Sequence, residues 1–179
     1  MGWGKSEINR ELNKHHQEFD ALIDQLAPEV FEDNSADKRS AGQLQQHIIL
    51  SLKPIVLAMR LPRFLLRYQF GLTNRPSRSY EELVARYLKA LDGRAAVAPK
   101  RFTPKPIGSE VKQQQTIQFN KLINRLMKLV SKWSEGDLDL YVIPHPLMGI
   151  LTFREILYFT IYHVQHHKKQ IDETEKIKT

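Results

Sequence analysis

The sequence contains no cysteine. Disulfides, thiolate metal ligands and a cysteine nucleophile are therefore excluded, so any bound metal must be held by imidazole or carboxylate. The same absence fits a reducing compartment, and the chain is expected in the cytoplasm. No apolar run approaches the roughly 18 residues of a membrane span. No apolar segment follows Met1-Gly2-Trp3-Gly4-Lys5 either, so neither a signal peptide nor a membrane partner is expected. No stretch alternates apolar and polar residues for long enough to predict a sheet. There is no internal repeat and no low-complexity segment. Charge is unbalanced: 27 Lys and Arg against 20 Asp and Glu leave a formal +7. That excess is scattered over Arg60, Arg63 and Arg67, over Lys100, Arg101 and Lys105, and over Lys168 and Lys169. With no recognised nucleic-acid motif, it reads as a solvated basic surface, and nucleic acid is not an expected partner.

What is present is a chain of 179 residues, 41% hydrophobic and 26% charged. Those proportions predict one globular domain over residues 1–179. Apolar residues recur at helical spacing over residues 6–26: Ile8, Leu12, His15, Phe19, Leu22, Ile23 and Leu26. Pro28 ends this helix. His15 falls near the stripe and His16 off it, and both are expected at the surface or its margin. Residues 30–38 are polar and read as a loop. A second helix begins near Ser40. His47 faces inward there with Leu44, Ser51, Ile55 and Ala58, and the small Ser51 and Ala58 leave space beside it. Pro54 is expected to kink or end this helix, and Pro62 interrupts it again. Residues 63–70 form a short continuation closed by Gly71. A further short helix starts at Ser79 or Tyr80 and stops at Gly93. Residues 94–109 hold Pro99, Pro104, Pro106 and Gly108. Irregular segments of this length are commonly lids or interfaces. Ser109 is expected to cap a third long helix ended by Gly136. Residues 138–143 look extended but too short and isolated for a sheet. A last helix runs to about Thr174, and the tail beyond it is expected to fray. The sum is an all-α fold, a four-helix bundle with a short helical, loop-rich insert between helices 2 and 3.

The last helix carries the chemistry. Thr152 is a candidate N-cap, with Glu155 as its capping-box partner. At about 100° per residue, His163 and His167 fall on the apolar side with Ile156, Phe159, Thr160, Val164 and Ile171. Arg154, Gln165, Lys168 and Lys169 fall opposite, and His166 lies at the margin next to Glu155. Two neutral imidazoles at i and i+4 can share one divalent cation. By itself the pair reads more readily as two hydrogen-bonded core histidines, since the chain holds seven histidines and a chance pair at this spacing is common. His47 supplies a third inward imidazole from a facing helix. Three imidazoles leave a position open for water or thiol, as catalytic sites do.

Three segments carry a family resemblance: Ser40-Ala41-Gly42-Gln43-Leu44-Gln45-Gln46-His47, the loop His145-Pro146-Leu147-Met148-Gly149, and His163-Val164-Gln165-His166-His167 with Lys168-Lys169-Gln170-Ile171. In order and separation they resemble the DinB/YfiT-like superfamily over nearly the whole chain. The resemblance implies a metal-binding four-helix bundle with the ligand triad His47, His163 and His167. It implies a homodimer binding nickel, zinc or iron. Some members resemble thiol S-transferases that use a low-molecular-weight thiol such as bacillithiol, mycothiol or glutathione; others are hydrolase-like, and many have no known activity. The expected function is thus a metal-dependent enzyme of S-transferase or hydrolase type acting on a small molecule. Its catalytic residues are unassigned, with Glu155, Tyr162, Gln165 and His166 as candidate supporting groups. The alternative is a non-catalytic dimeric stress-related or interaction bundle whose metal is structural or absent.

Overall fold

The computed structural model describes residues 2–34, 39–92 and 99–178. Four long helices, α1 (Lys5–Gln25), α3 (Ala41–Arg60), α6 (Lys112–Lys132) and α8 (Phe153–Lys178), form the bundle. α1 and α3 each pack against both α6 and α8. Shorter helices complete it: α2 (Pro28–Glu32), α4 (Arg63–Phe70), α5 (Tyr80–Asp92) and α7 (Glu135–Leu140). One contiguous core joins the buried apolar faces of the four long helices, which is what single-stripe helices require.

Local chemistry sets the helix starts. Ser40 and Gln43 form a capping box at the start of α3: Gln43 N donates to Ser40 Oγ and Ser40 N to Gln43 Oε1, at 3.2 and 3.0 Å. Ser79 and Glu82 form another before α5, and Thr152 and Glu155 a third before α8. α3 continues through Pro54 to Arg60. Its neighbours Leu52, Ile55, Val56 and Met59 are all buried, and that packing outweighs the roughly 3 kcal/mol cost of an interior proline. Gly42 is needed for close approach, because a Cβ there would meet the Phe31 ring of α2 at 2.6 Å.

Several local expectations are corrected. The segment read as a loop at 30–38 begins with α2, and its residues 35–38 lie outside the described ones. Gly93 and residues 94–98 lie outside them too. Ser109 opens a 3-10 turn, Ser109–Val111, rather than capping α6. α6 ends at Lys132, and Gly136 sits inside α7, which Ser134 caps. Strands β1 (Val142–His145) and β2 (Gly149–Thr152) pair antiparallel from Val142↔Thr152 to His145↔Gly149. The sheet is possible because the pairing is local and Gly149 turns the chain back at φ 74°.

Arg154, expected on the solvent side of α8, is buried. Its guanidinium donates to Asp139 at 2.6 and 3.0 Å, to Glu135 at 2.8 Å and to the Trp3 carbonyl at 2.6 Å. α7 and the N-terminal segment cover that flank, which a helical wheel of α8 alone cannot show. His16, not His15, is the buried histidine of α1, 1% exposed. It continues the four-residue step from Ile8 and Leu12. His15 instead lies between Glu11 and Glu18. His16 Nδ1 donates to the Leu12 carbonyl at 2.7 Å, and its ring lies 5.6 Å from that of Phe119.

Burial pushes His16 down to about 3. The unfolded chain takes up this proton near 6.5, so stability contributed here is complete above that pH and is lost as pH falls from 6.5 towards 3. The loss is at most about 1.4 kcal/mol per pH unit. We expect H16L to flatten the fall in unfolding free energy between pH 6.5 and 4.5 by close to one proton, measured by urea titration with chelator present. An unchanged slope would mean that His16 does not control acid sensitivity.

Candidate metal centre

α3 and α8 run antiparallel: Met59 at the end of α3 and Phe153 at the start of α8 both meet Trp133, through a 3.1 Å hydrogen bond and a 4.4 Å ring contact. This places the middle of α3 opposite the middle of α8. His47, two turns into α3, therefore faces His163 and His167. All three are buried, at 7, 5 and 5% exposure. His47 Nε2 lies 3.1 Å and His167 Nε2 2.9 Å from His163 Nε2. One ligand atom from each residue falls within 4.8 Å of the others.

The outer nitrogens decide what this means. His47 Nδ1 sits 2.6 Å from the Phe102 carbonyl and His167 Nδ1 2.7 Å from Gln170 Oε1. Both partners only accept, so both Nδ1 atoms carry protons. Both Nε2 atoms are then bare lone pairs directed at His163 Nε2. His163 carries at most one proton there, which cannot fully satisfy both. A further proton, which would turn one ring into an imidazolium, is disfavoured as well. His163 is held well below its ordinary pKa, first by burial and then by His167 and His47. Burial and His47 bring His167 to about 3. Burial also lowers His47, with Arg39 adding to the effect against the Phe102 carbonyl. A divalent cation resolves the conflict. Imidazole nitrogens about 2.0–2.1 Å from a metal lie about 3 Å apart when they share it, and His163 Nε2 stands at that separation from each of the other two, at 3.1 and 2.9 Å. The donor set therefore fits a metal.

The supporting groups differ from those expected. Glu155 is fully buried but belongs to another network, where Arg75 grips it at 2.7 and 2.8 Å and Arg78 at 2.9 Å. Burial alone would raise its carboxyl, but these bonds and the Thr152 N–H hold it at about 2. Gln165 donates to Tyr80 Oη and the Ile161 carbonyl, away from the histidines. His166 does adjoin the site, its ring 5.2 Å from that of His167, and Tyr162 lies beyond it. The groups that orient the cluster, Gln170 and the Phe102 carbonyl, had no assigned role in the sequence. Gln170 follows His167 by three positions, a readable signal. A main-chain carbonyl has none, although it comes from the long segment whose length pointed to function.

The cluster opens on a cavity of about 1130 Å³ between α3, α5, α8 and the hairpin. His145 from β1 borders it, its ring 4.4 Å from Phe159, which in turn stacks on His163. Leu147 N and Met148 N both donate to His145 Nδ1 at 3.2 Å. That nitrogen is an acceptor, so the neutral ring carries its proton on Nε2. Burial pushes His145 down to about 4.

A family model described as the DinB superfamily matches residues 11–171. The chain belongs to the DinB superfamily. No curated protein matches it. A crystal structure of an uncharacterized protein from Clostridium difficile 630 is similar to this DinB chain at 15% identity, with a TM-score of 0.57. The match covers 99% of this chain and 98% of that one. At that identity the likeness extends to the fold. The family and the buried three-histidine group together fit a metal-binding protein.

Long-range proton–nitrogen NMR on metal-free protein checks the tautomers. We expect His145 to show the Nε2–H pattern unchanged from pH 8 to 5. An Nδ1–H signal, or protonation above pH 6, would contradict the assigned hydrogen bonds.

Proposed function

We propose that His47, His163 and His167 ligate one divalent cation, of nickel, zinc or iron type, and that the protein is a metal-dependent enzyme of thiol S-transferase or hydrolase type acting on a small molecule in the cytoplasm. One observation carries the reading: three imidazoles offer ligand atoms within 4.8 Å of one another at the wall of a large cavity. Three protein ligands facing open space are the arrangement of catalytic rather than closed structural sites. A divalent cation held there favours the anionic form of a water or thiol that shares its coordination. The chain's own residues do the rest. Phe102 and Gln170 hold the imidazoles in the ligating tautomer. His145 Nε2–H offers a hydrogen bond to an acceptor in the cavity. The Tyr87 phenol, which burial pushes up to about 12, remains a neutral donor there.

The test is metal content by mass spectrometry on untagged protein, with H47A, H163A and H167A alongside. About one metal per chain, lost in each variant while helicity is kept, is the expected result. Q170L should weaken metal affinity about 10- to 100-fold. Stoichiometric metal in H47A would refute the triad.

The homodimer also remains a proposal, and a specific feature supports it. On α4 and beside it, Phe64 is 72% exposed and Tyr68 90%, with Leu57 and Leu72 nearby in the chain at 59 and 38%. Exposed apolar groups concentrated in this way mark interfaces. We expect light scattering to give a dimer for the native chain and a shift towards monomer for F64S/Y68S. A dimer unaffected by that pair would place the interface elsewhere. The second reading is a non-catalytic dimeric stress-related or interaction bundle whose metal is structural or absent, and it predicts no turnover of thiols or esters.

A further inference from the structure

The cavity has two unlike ends. Below the histidines, towards the end of α3 and the start of α8, Ile55, Ala58, Phe70, Ile143, Leu147 and Ile156 line it. Above them, towards the start of α3, it is bordered by Arg39, Arg101, Gln170 and Thr174. From Ala41 to Ala58, both on the cavity wall, the helical rise spans roughly 26 Å, so the space is long as well as large. Its volume exceeds the roughly 300–1,000 Å³ of most small-molecule sites.

Charge distinguishes the upper end. Arg39 is partly buried just before α3, and no ion pair to it is formed among the described residues. Of the two carboxylates bordering the same end, Glu173 pairs with Lys169 at 3.7 Å, and Asp33 takes part in an interaction of its own. Arg39 borders the same cavity as His47 and His167. A partly desolvated guanidinium facing a cavity is best matched by an oxyanion.

We infer that the cavity takes an elongated amphiphilic anion, with its apolar tail in the lobe lined by Ile55, Ala58 and Ile156 and its carboxylate or similar oxyanion head at Arg39. The histidine cluster lies midway, so the reactive group sits between tail and head. Only this last placement rests on the proposed metal site; binding of tail and head does not.

Calorimetric titration of octanoate, decanoate, dodecanoate and the matching alcohols tests it, with metal content measured on the same samples. Affinity for the carboxylates should rise roughly fourfold per methylene, and each carboxylate should bind more tightly than its alcohol. R39Q should weaken dodecanoate about tenfold or more while leaving dodecanol unchanged. A58L should weaken both. No dependence on chain length overturns the tail assignment. An undiminished carboxylate preference in R39Q overturns the head assignment. If A58L does not fold, the native chain-length series still decides the tail. Metal absent with binding intact would sink the metal reading alone; metal present with no binding would sink this inference alone.

Discussion

Bringing three imidazoles together away from water forces each to choose which nitrogen keeps its proton. Two choices are made from outside, by a carbonyl and an amide oxygen that only accept. The remaining nitrogens then confront one another at about hydrogen-bond distance with too few protons between them. Protonating the cluster is no escape, because burial and mutual repulsion disfavour every added charge. A cation is the species that suits the arrangement, so the architecture around it can be read as what keeps those lone pairs in place. The antiparallel pairing of α3 and α8 supplies the face-to-face geometry, and the caps at Ser40 and Thr152 set where each helix begins.

The start of α8 is tied down more firmly than its cap alone would achieve. Glu155 is buried beneath two arginines from the segment before α5, and Arg154 beside it is clasped by two carboxylates of α7 and by the N-terminal segment. Adjacent residues of opposite charge therefore anchor opposite flanks of one helical turn. Buried pairs of this kind contribute little net stability, but removing one partner is costly. Their value here is positional. They fix the rotation of a helix whose histidines must point inward two and three turns further on.

Much of this was legible in the sequence because it depends on one helix at a time. The four long helices, their start signals at Ser40 and Thr152, and the shared inward face of His163 and His167 all follow from local spacing. What was not legible depends on a second element. Arg154 looked solvent-facing because α7 could not be placed. His15 and His16 sit side by side between Leu12 and Phe19, so the stripe could pass through either, and the packing of Phe119 accompanies the choice of His16. The hairpin was dismissed because its two strands are only four residues each, and the extended reading at 138–143 overlaps the first only at Val142 and Ile143, with residues 138–140 lying in α7. Pro54 misled in the other direction: a local penalty was overruled by core contacts on both sides.

The Phe102 carbonyl holds His47 with main chain rather than side chain. Phe102 closes a short 3-10 turn, Lys100–Phe102, and the same turn presents Arg101 to the cavity. What the turn contributes to the histidine is thus encoded in the path and length of the chain, and what it contributes to the ligand in the identity of its side chains. Residues at the mouth can therefore be exchanged freely, retuning which molecules enter, while the imidazole beneath stays in register. Drift in specificity and loss of the centre are separable events in this fold: point changes drive the first, and insertions or deletions in the turn drive the second.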